Sequence, residues 1–392
     1  MFSRRTAWDL TPNELVVARQ HASFAGEWID LTSSNPTTVQ LAYPQDTMTR
    51  ALAQPAALVY EPACTGLAST RRFVADTYRQ QGVDVEVDDL VLTASSSEAY
   101  SFLLKLLCDP GDSILVPQPS YPLFDDLARL ESVRVRGYPL RAQDGWRTDV
   151  QALSEAVDDS VRAVFIVSPN NPTGSYLVRD ELDAIEELAQ RRGLALVSDE
   201  VFADYIWRDD PARVRCAAKE SRTLAFSLGG LSKSACLPQM KLGWIVAGGP
   251  EPQRRAAMAR LEMIGDTFLS VGTPIQHAAP ALFEAAAGVR EQLRHRIRRN
   301  LEMLQGVFDA TSPVTVMPVR AGWYAVLRLP AFFTGEQWAS LLARTSGVLT
   351  HPGEFFGFAE PACLVVSLIV PEAAFETGVR RIAGSAARAS EA

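Results

Sequence analysis

Ala163-Val164-Phe165-Ile166-Val167-Ser168-Pro169-Asn170-Asn171-Pro172-Thr173-Gly174 opens as an unbroken apolar run rich in β-branched and aromatic side chains and ends in a proline- and glycine-punctuated turn. A strand that offers apolar groups to both faces needs a cover on both, which is the situation of a parallel strand between helical layers. The same texture recurs outward in both directions: Leu90 to Thr93, Ser113 to Val116, Val133 to Val135, Leu194 to Val197, Thr223 to Phe226 and Trp244 to Ala247. Between these runs the apolar period lengthens, as in Phe102, Leu103, Leu106 and Leu107 before the Asp109-Pro110-Gly111 stop, so strand and helix alternate. These segments predict an α/β fold with a mostly parallel seven-stranded sheet and helices on both faces. Past Pro274 the pattern changes to a long charged helix from Pro280 to about Phe308, a strand around Gly322 to Leu327 and a final strand at Cys363 to Ile369, the makings of a smaller α+β domain.

The 392 residues are 47% hydrophobic and 21% charged, enough for a large core and more than one core usually holds. Net charge is −8, and no basic run interleaves with aromatics, which argues against nucleic acid as a partner. Cys64, Cys108, Cys216, Cys236 and Cys363 are odd in number and scattered, without metal-type or disulfide spacing. No metal is expected, and His21, His277 and His295 read as surface or helix positions. The N-terminus lacks an apolar core segment and no run of apolar residues is long enough to span a bilayer, so the expectation is a cytoplasmic protein without a membrane partner.

Three polar residues stand at strand ends in a fixed order. Asn171 follows the first run quoted, Asp199 closes Leu196-Val197-Ser198-Asp199, and Lys233 lies in Leu231-Ser232-Lys233-Ser234. A lysine to condense with an aldehyde, a carboxylate to keep a pyridine nitrogen protonated and an amide for the ring hydroxyl together match the needs of pyridoxal 5'-phosphate. Thr93-Ala94-Ser95-Ser96-Ser97-Glu98 joins a strand to a helix, so Ser95, Ser96 and Ser97 present hydroxyls, backbone amides and a positive helix end to a phosphate.

With these motifs in this order, the chain from about Leu31 to Arg381 resembles the class I/II aminotransferases, the fold-type-I pyridoxal-phosphate enzymes. The resemblance implies a pyridoxal-phosphate-dependent transferase that moves an amino group between an amino acid or amine and a keto acid, through a Schiff base on Lys233. It implies a large cofactor-binding domain at 45–280 and a small domain from 1–44 plus 281–392. It makes Lys233, Asp199 and Tyr121 catalytic, Tyr121 by stacking on the ring. Ser95, Ser96, Ser97, Asn171, Phe202, Ser232 and Lys241 would line the cofactor, and Tyr60 would reach the phosphate of a second subunit, making a homodimer with shared sites. Asn35 falls in the expected substrate loop.

Four positions depart from the family pattern. Lys241 stands where an arginine usually meets the phosphate, which exchanges a fork for a point charge. Gly230 replaces a phosphate-side serine, and Phe202 replaces a tyrosine on the ring hydroxyl. Val365, in Leu364-Val365-Val366-Ser367, replaces the arginine that grips the substrate carboxylate, and an apolar side chain cannot hold a carboxylate. Arg320 is the nearest alternative cation in sequence. The alternatives are loop amides with Asn35, or a substrate other than a plain α-amino acid. The change also admits other outcomes on the same cofactor: β- or γ-elimination, decarboxylation, racemisation or oxidation.

Overall fold

The computed structural model describes residues 1–11, 24 and 26–391; His21 lies outside them. Strands are numbered here in chain order: β1 Ile29–Asp30, β2 Leu90–Thr93, β3 Ser113–Gln118, β4 Arg134–Arg141, β5 Arg147–Thr148, β6 Val161–Val167, β7 Ala195–Asp199, β8 Ala225–Gly230, β9 Gly243–Gly248, β10 Thr315–Val316, β11 Tyr324–Arg328, β12 Val348–Leu349, β13 His351–Pro352 and β14 Cys363–Ser367. The large sheet runs β2-β9-β8-β7-β6-β3-β4-β5. Pairs β3/β4, β3/β6, β6/β7 and β7/β8 are parallel, whereas β9 is antiparallel to both of its neighbours. All seven strands read from the sequence are present. The sheet has one more, the two-residue β5, which pairs antiparallel at the edge through Leu140 and Arg141; so short a piece carries no apolar period by which it could be recognised.

β6, β7 and β8 are buried almost throughout, as strands covered on both faces must be. One cover packs Leu103, Leu104 and Leu261 against Val91, Phe226 and Ile245. The other packs Leu182, Ile185 and Leu188 against Leu115, Val164 and Leu196.

The second sheet, β10-β11-β14-β13, is antiparallel. The N-terminal segment joins this part of the molecule: Ile29 and Asp30 pair in parallel with Val348 and Leu349, and Ser367 N donates to Leu31 O at 2.7 Å. The long charged helix expected from Pro280 is two helices, Thr273–Ala285 and Ala287–Val307, with Pro280 inside the first. Proline has no N–H for the carbonyl one turn back, that of Gln276. The Thr70 hydroxyl donates to that carbonyl at 2.8 Å instead, which explains why a proline taken for a helix start sits within one.

Candidate active site

The parallel strands place their C-terminal ends on one edge of the sheet, where ligands of open α/β folds bind. β2 runs into Ser95 to Ser97, β3 into Tyr121, β6 into Asn171 and β7 into Asp199 and Phe202, while β8 runs into the turn of helix Leu231–Ser234 that carries Lys233. β9 starts from this same edge, two residues after Lys241. A Cβ on Gly243 would lie 3.0 Å from the Ser95 carbonyl carbon, so the start of β9 rests against the serine turn.

Lys233 Nζ sits 4.7 Å from the centroid of the Trp323 ring and 5.5 Å from that of Phe202. Burial lowers its amine to about 8, against the opposing pull of Asp199 and Cys236. An amine depressed this far is neutral for a useful fraction of the time near pH 8, as a nucleophile must be. Its backbone is fixed as well: the Lys233 carbonyl accepts from Tyr205 Oη at 2.9 Å, and Ser234 Oγ donates to Gly230 O at 2.9 Å.

Asp199 is buried, and burial pushes its carboxyl above the usual range; Tyr100, the Val201 amide and Lys233 oppose that push. Tyr121 is in the same field. Burial and then Asp199 raise its hydroxyl to about 12.

The two asparagines of the β6 turn divide their work. Asn170 staples the turn, accepting from Thr173 Oγ1 at 3.0 Å and donating to Pro119 O at 3.3 Å. Asn171 is buried, and its amide oxygen finds no partner among the described residues. That oxygen is therefore a buried acceptor with room for a donor from outside the described residues. Gly174, at φ +68, brings the turn against the Ala321 carbonyl, 2.3 Å from where a Cβ would lie, and so couples Asn171 to the segment that carries Trp323.

At the serine turn, Ser95 caps helix Ser96–Leu107, its hydroxyl accepting from Glu98 N at 3.1 Å. The Glu98 carboxylate accepts from Ala94 N at 2.6 Å and from Ser270 Oγ at 2.8 Å. Ser232 is half-buried beside Lys233, and Lys241 is exposed, with a left-handed backbone at φ 50.

The remaining candidates lie elsewhere or are engaged. Tyr60 is 76% exposed. Asn35 is exposed, and its side-chain oxygen accepts from the Thr37 amide and hydroxyl at 3.0 and 2.8 Å, an ordinary turn. Arg320 Nη2 donates to Asp210 Oδ2 at 3.0 Å and to Tyr176 Oη, and its guanidinium stacks on the Tyr176 ring at 4.2 Å. It lines a cavity with Trp146, Arg179 and Asp180, none of which belongs to the Lys233 cluster. Val365 is completely buried, cross-strand from Val326 and His351.

Two residues of this site escape sequence reasoning. Trp323 reads as a strand residue, and Tyr100, whose hydroxyl donates to Asp199 Oδ2 at 2.6 Å, reads as part of an apolar helix face. The one available signal was a hydroxyl on that face, since a buried tyrosine usually finds a partner for it.

A cofactor of the pyridoxal type fits these residues: an unpaired buried amide, a desolvated lysine, a buried carboxylate and a serine-lined helix start meet on one sheet edge.

Comparison with known proteins gives a consistent picture. The family profile described as "Aminotransferase class I and II" matches residues 26–382. Nicotianamine aminotransferase 1 of Oryza sativa subsp. japonica is 29% identical over 239 residues, 60% of this chain and 48% of that protein. S-alkyl-thiohydroximate lyase of Arabidopsis thaliana is 29% identical over 225 residues, 56% of this chain and 48% of that one. The chain thus spans about half the length of these curated relatives. The structure of alanine aminotransferase from Pyrococcus furiosus superposes with a TM-score of 0.88 at 20% identity, over 99% of this chain and all of that one, a likeness of fold.

Proposed function

This chain belongs to the class I and II aminotransferases, and we propose that it is a pyridoxal-phosphate-dependent aminotransferase, exchanging an amino group between an amino donor and a keto acid. The observation that carries the reading is the meeting of Lys233, with its amine lowered to about 8, and the buried Asp199 carboxylate at the mouth of adjacent parallel strands.

Bound there, pyridoxal 5'-phosphate would supply an electron-withdrawing pyridinium that accepts the electron pair left at the donor's Cα. Lys233 would hold the cofactor through its aldehyde, and its amine, lowered to about 8, would move the proton at the donor's Cα. Asp199 would keep the ring nitrogen protonated, and Asn171, Phe202 and Tyr121 would be the other residues that hold the ring. Ser95, Ser96, Ser97 and Ser232 with Lys241 would take the phosphate, by hydroxyls, backbone amides and a single cationic charge.

Two copies would complete the site, with Tyr60 reaching the phosphate of the neighbour. Leu58 at 91% exposure, Val59 at 62% and Met263 at 68% are exposed apolar side chains that such a partner would cover. The five free cysteines support a reducing, cytoplasmic location. No helix among the described residues is long and apolar enough to cross a membrane.

A second reading, elimination on the same cofactor, is favoured by a specific observation: Val365 is sealed in the core and Arg320 is held by Asp210. Val365 offers no cation, and the Arg320 guanidinium is already paired with Asp210, so neither supplies the usual arginine grip on a donor carboxylate. The presence of a lyase among the relatives agrees with this reading.

The deciding experiment incubates holoprotein with a donor panel that includes amines without a carboxylate, first without any keto acid. Transfer predicts a shift of the visible-edge band toward the pyridoxamine form and its recovery on adding keto acid. Release of ammonia or pyruvate with no acceptor would select elimination. Lys233→Ala should lose both the band and turnover; retention of either removes Lys233 from the reaction.

A further inference from the structure

Tyr100 belongs to none of the motifs, yet it touches the most sensitive group in the site. Its hydroxyl donates to Asp199 Oδ2 at 2.6 Å, while Val201 N donates to Oδ1 at 3.0 Å. Each carboxylate oxygen therefore has one donor from the protein. The tyrosine is 2% exposed and Asp199 6%.

The ring that carries this hydroxyl is held on several sides. Phe124 meets it edge-on at 5.3 Å, Phe165 stacks at 5.8 Å with planes 23° apart, and Phe124 also meets Tyr121 edge-on at 6.3 Å. Tyr100 rides on helix Ser96–Leu107, whose serine-lined first turn would take the phosphate in the proposed reading. One rigid element thus carries both the phosphate contacts and the donor to Asp199.

Resting on the pyridoxal-phosphate reading, we infer that Tyr100 is a positioning residue that orients the Asp199 carboxylate and keeps its negative charge directed at the cofactor's ring nitrogen. A hydrogen bond to a buried carboxylate stabilises the charged form and fixes the plane in which its free lone pairs point. Burial pushes the Asp199 carboxyl upward, and the hydrogen bond from Tyr100 is the largest influence opposing it. An aspartate that lost its charge would leave the pyridine nitrogen unprotonated. The ring would then be a poor acceptor for the donor's electron pair.

Tyr100→Phe keeps the ring packing and removes only the hydroxyl. Two readings on the reconstituted protein test the inference: the cofactor dissociation constant, and the 15N chemical shift of the ring nitrogen of labelled pyridoxal phosphate. Wild type should show a protonated nitrogen. Tyr100→Phe should move the shift toward the neutral-pyridine value and weaken cofactor binding by about tenfold, the scale of one hydrogen bond to a charged group. Because Tyr100 acts through Asp199, adding Tyr100→Phe to Asp199→Asn should change the shift no further.

A Tyr100→Phe protein with wild-type shift and affinity overturns the inference while leaving the cofactor reading intact. A further loss in the Asp199→Asn background overturns it too, by showing that the tyrosine acts through packing. A wild-type protein that develops no lysine-bound chromophore overturns both the inference and the cofactor reading beneath it.

Discussion

Lys233 has its amine against two aromatic faces, and that desolvation sets a pH dependence with a definite sign. The folded value of about 8 lies below the ordinary 10.5, so the folded chain binds fewer protons than the unfolded chain between those limits, and the apoprotein gains stability from this group as pH rises through that window. The same shift governs cofactor uptake, because only the neutral amine condenses with an aldehyde. The rate at which the visible-edge band develops after mixing apoprotein with the vitamer should rise with pH up to about 8 and level off above it. A rate still climbing at pH 10 would show an unshifted lysine. At this scale Lys233, Asp199 and Asn171 were legible because each is a polar residue at the end of an apolar run, a place where packing does not ask for one. Tyr100 and Trp323 were not, since an aromatic ring at helical or strand spacing fits a core as well as a site. The binding of Arg320 to Asp210 was equally out of reach: sequence spacing does not show that Tyr176 and Asp210 fold against it.

The elements of the large sheet were legible almost completely, because strands covered on both faces must be apolar at successive positions and little else produces that texture. Helix Thr273–Ala285 was not, for a reason specific to Pro280. From sequence the proline reads as a helix start; in the fold the carbonyl it leaves unserved, at Gln276, is served from another helix by Thr70. Thr70→Val preserves the shape of that side chain and removes its donor. The buried carbonyl then lacks its partner, a loss of about 1–3 kcal/mol. Urea unfolding should register this as a lower midpoint at unchanged slope, and an unchanged midpoint would mean that the carbonyl finds another donor.

At the scale of the molecule, the helix break at Ala286 bears on how the chain divides. Helix Thr273–Ala285 contributes Ala278, Ala279 and Leu282 to the core around Leu90 and Leu242, whereas the next helix contributes Val289, Leu293 and Ile297 to the core around β11 and β14. We propose that the second crossing between domains lies at Ala286, slightly beyond the 280/281 boundary inferred from texture. The exposed apolar side chains of Leu58, Val59 and Met263 predict that the protein sediments as two 42.8 kDa chains. Charge placed there, as in Leu58→Asp with Met263→Asp, should yield single copies that hold the cofactor more weakly. A wild type sedimenting as one copy at micromolar concentration would rule out a shared site.

The parallel pairing of Ile29 and Asp30 with Val348 and Leu349 has a bearing on biosynthesis. Ile29 and Asp30 leave the ribosome well before Val348 and Leu349, so their pairing must wait for that segment, while the large sheet can close in between. Nascent chains stalled before Val348 should therefore hold a finished sheet with a loose leading segment. A protease would clip that segment near Ile29 until Val348 and Leu349 emerge to pair with it.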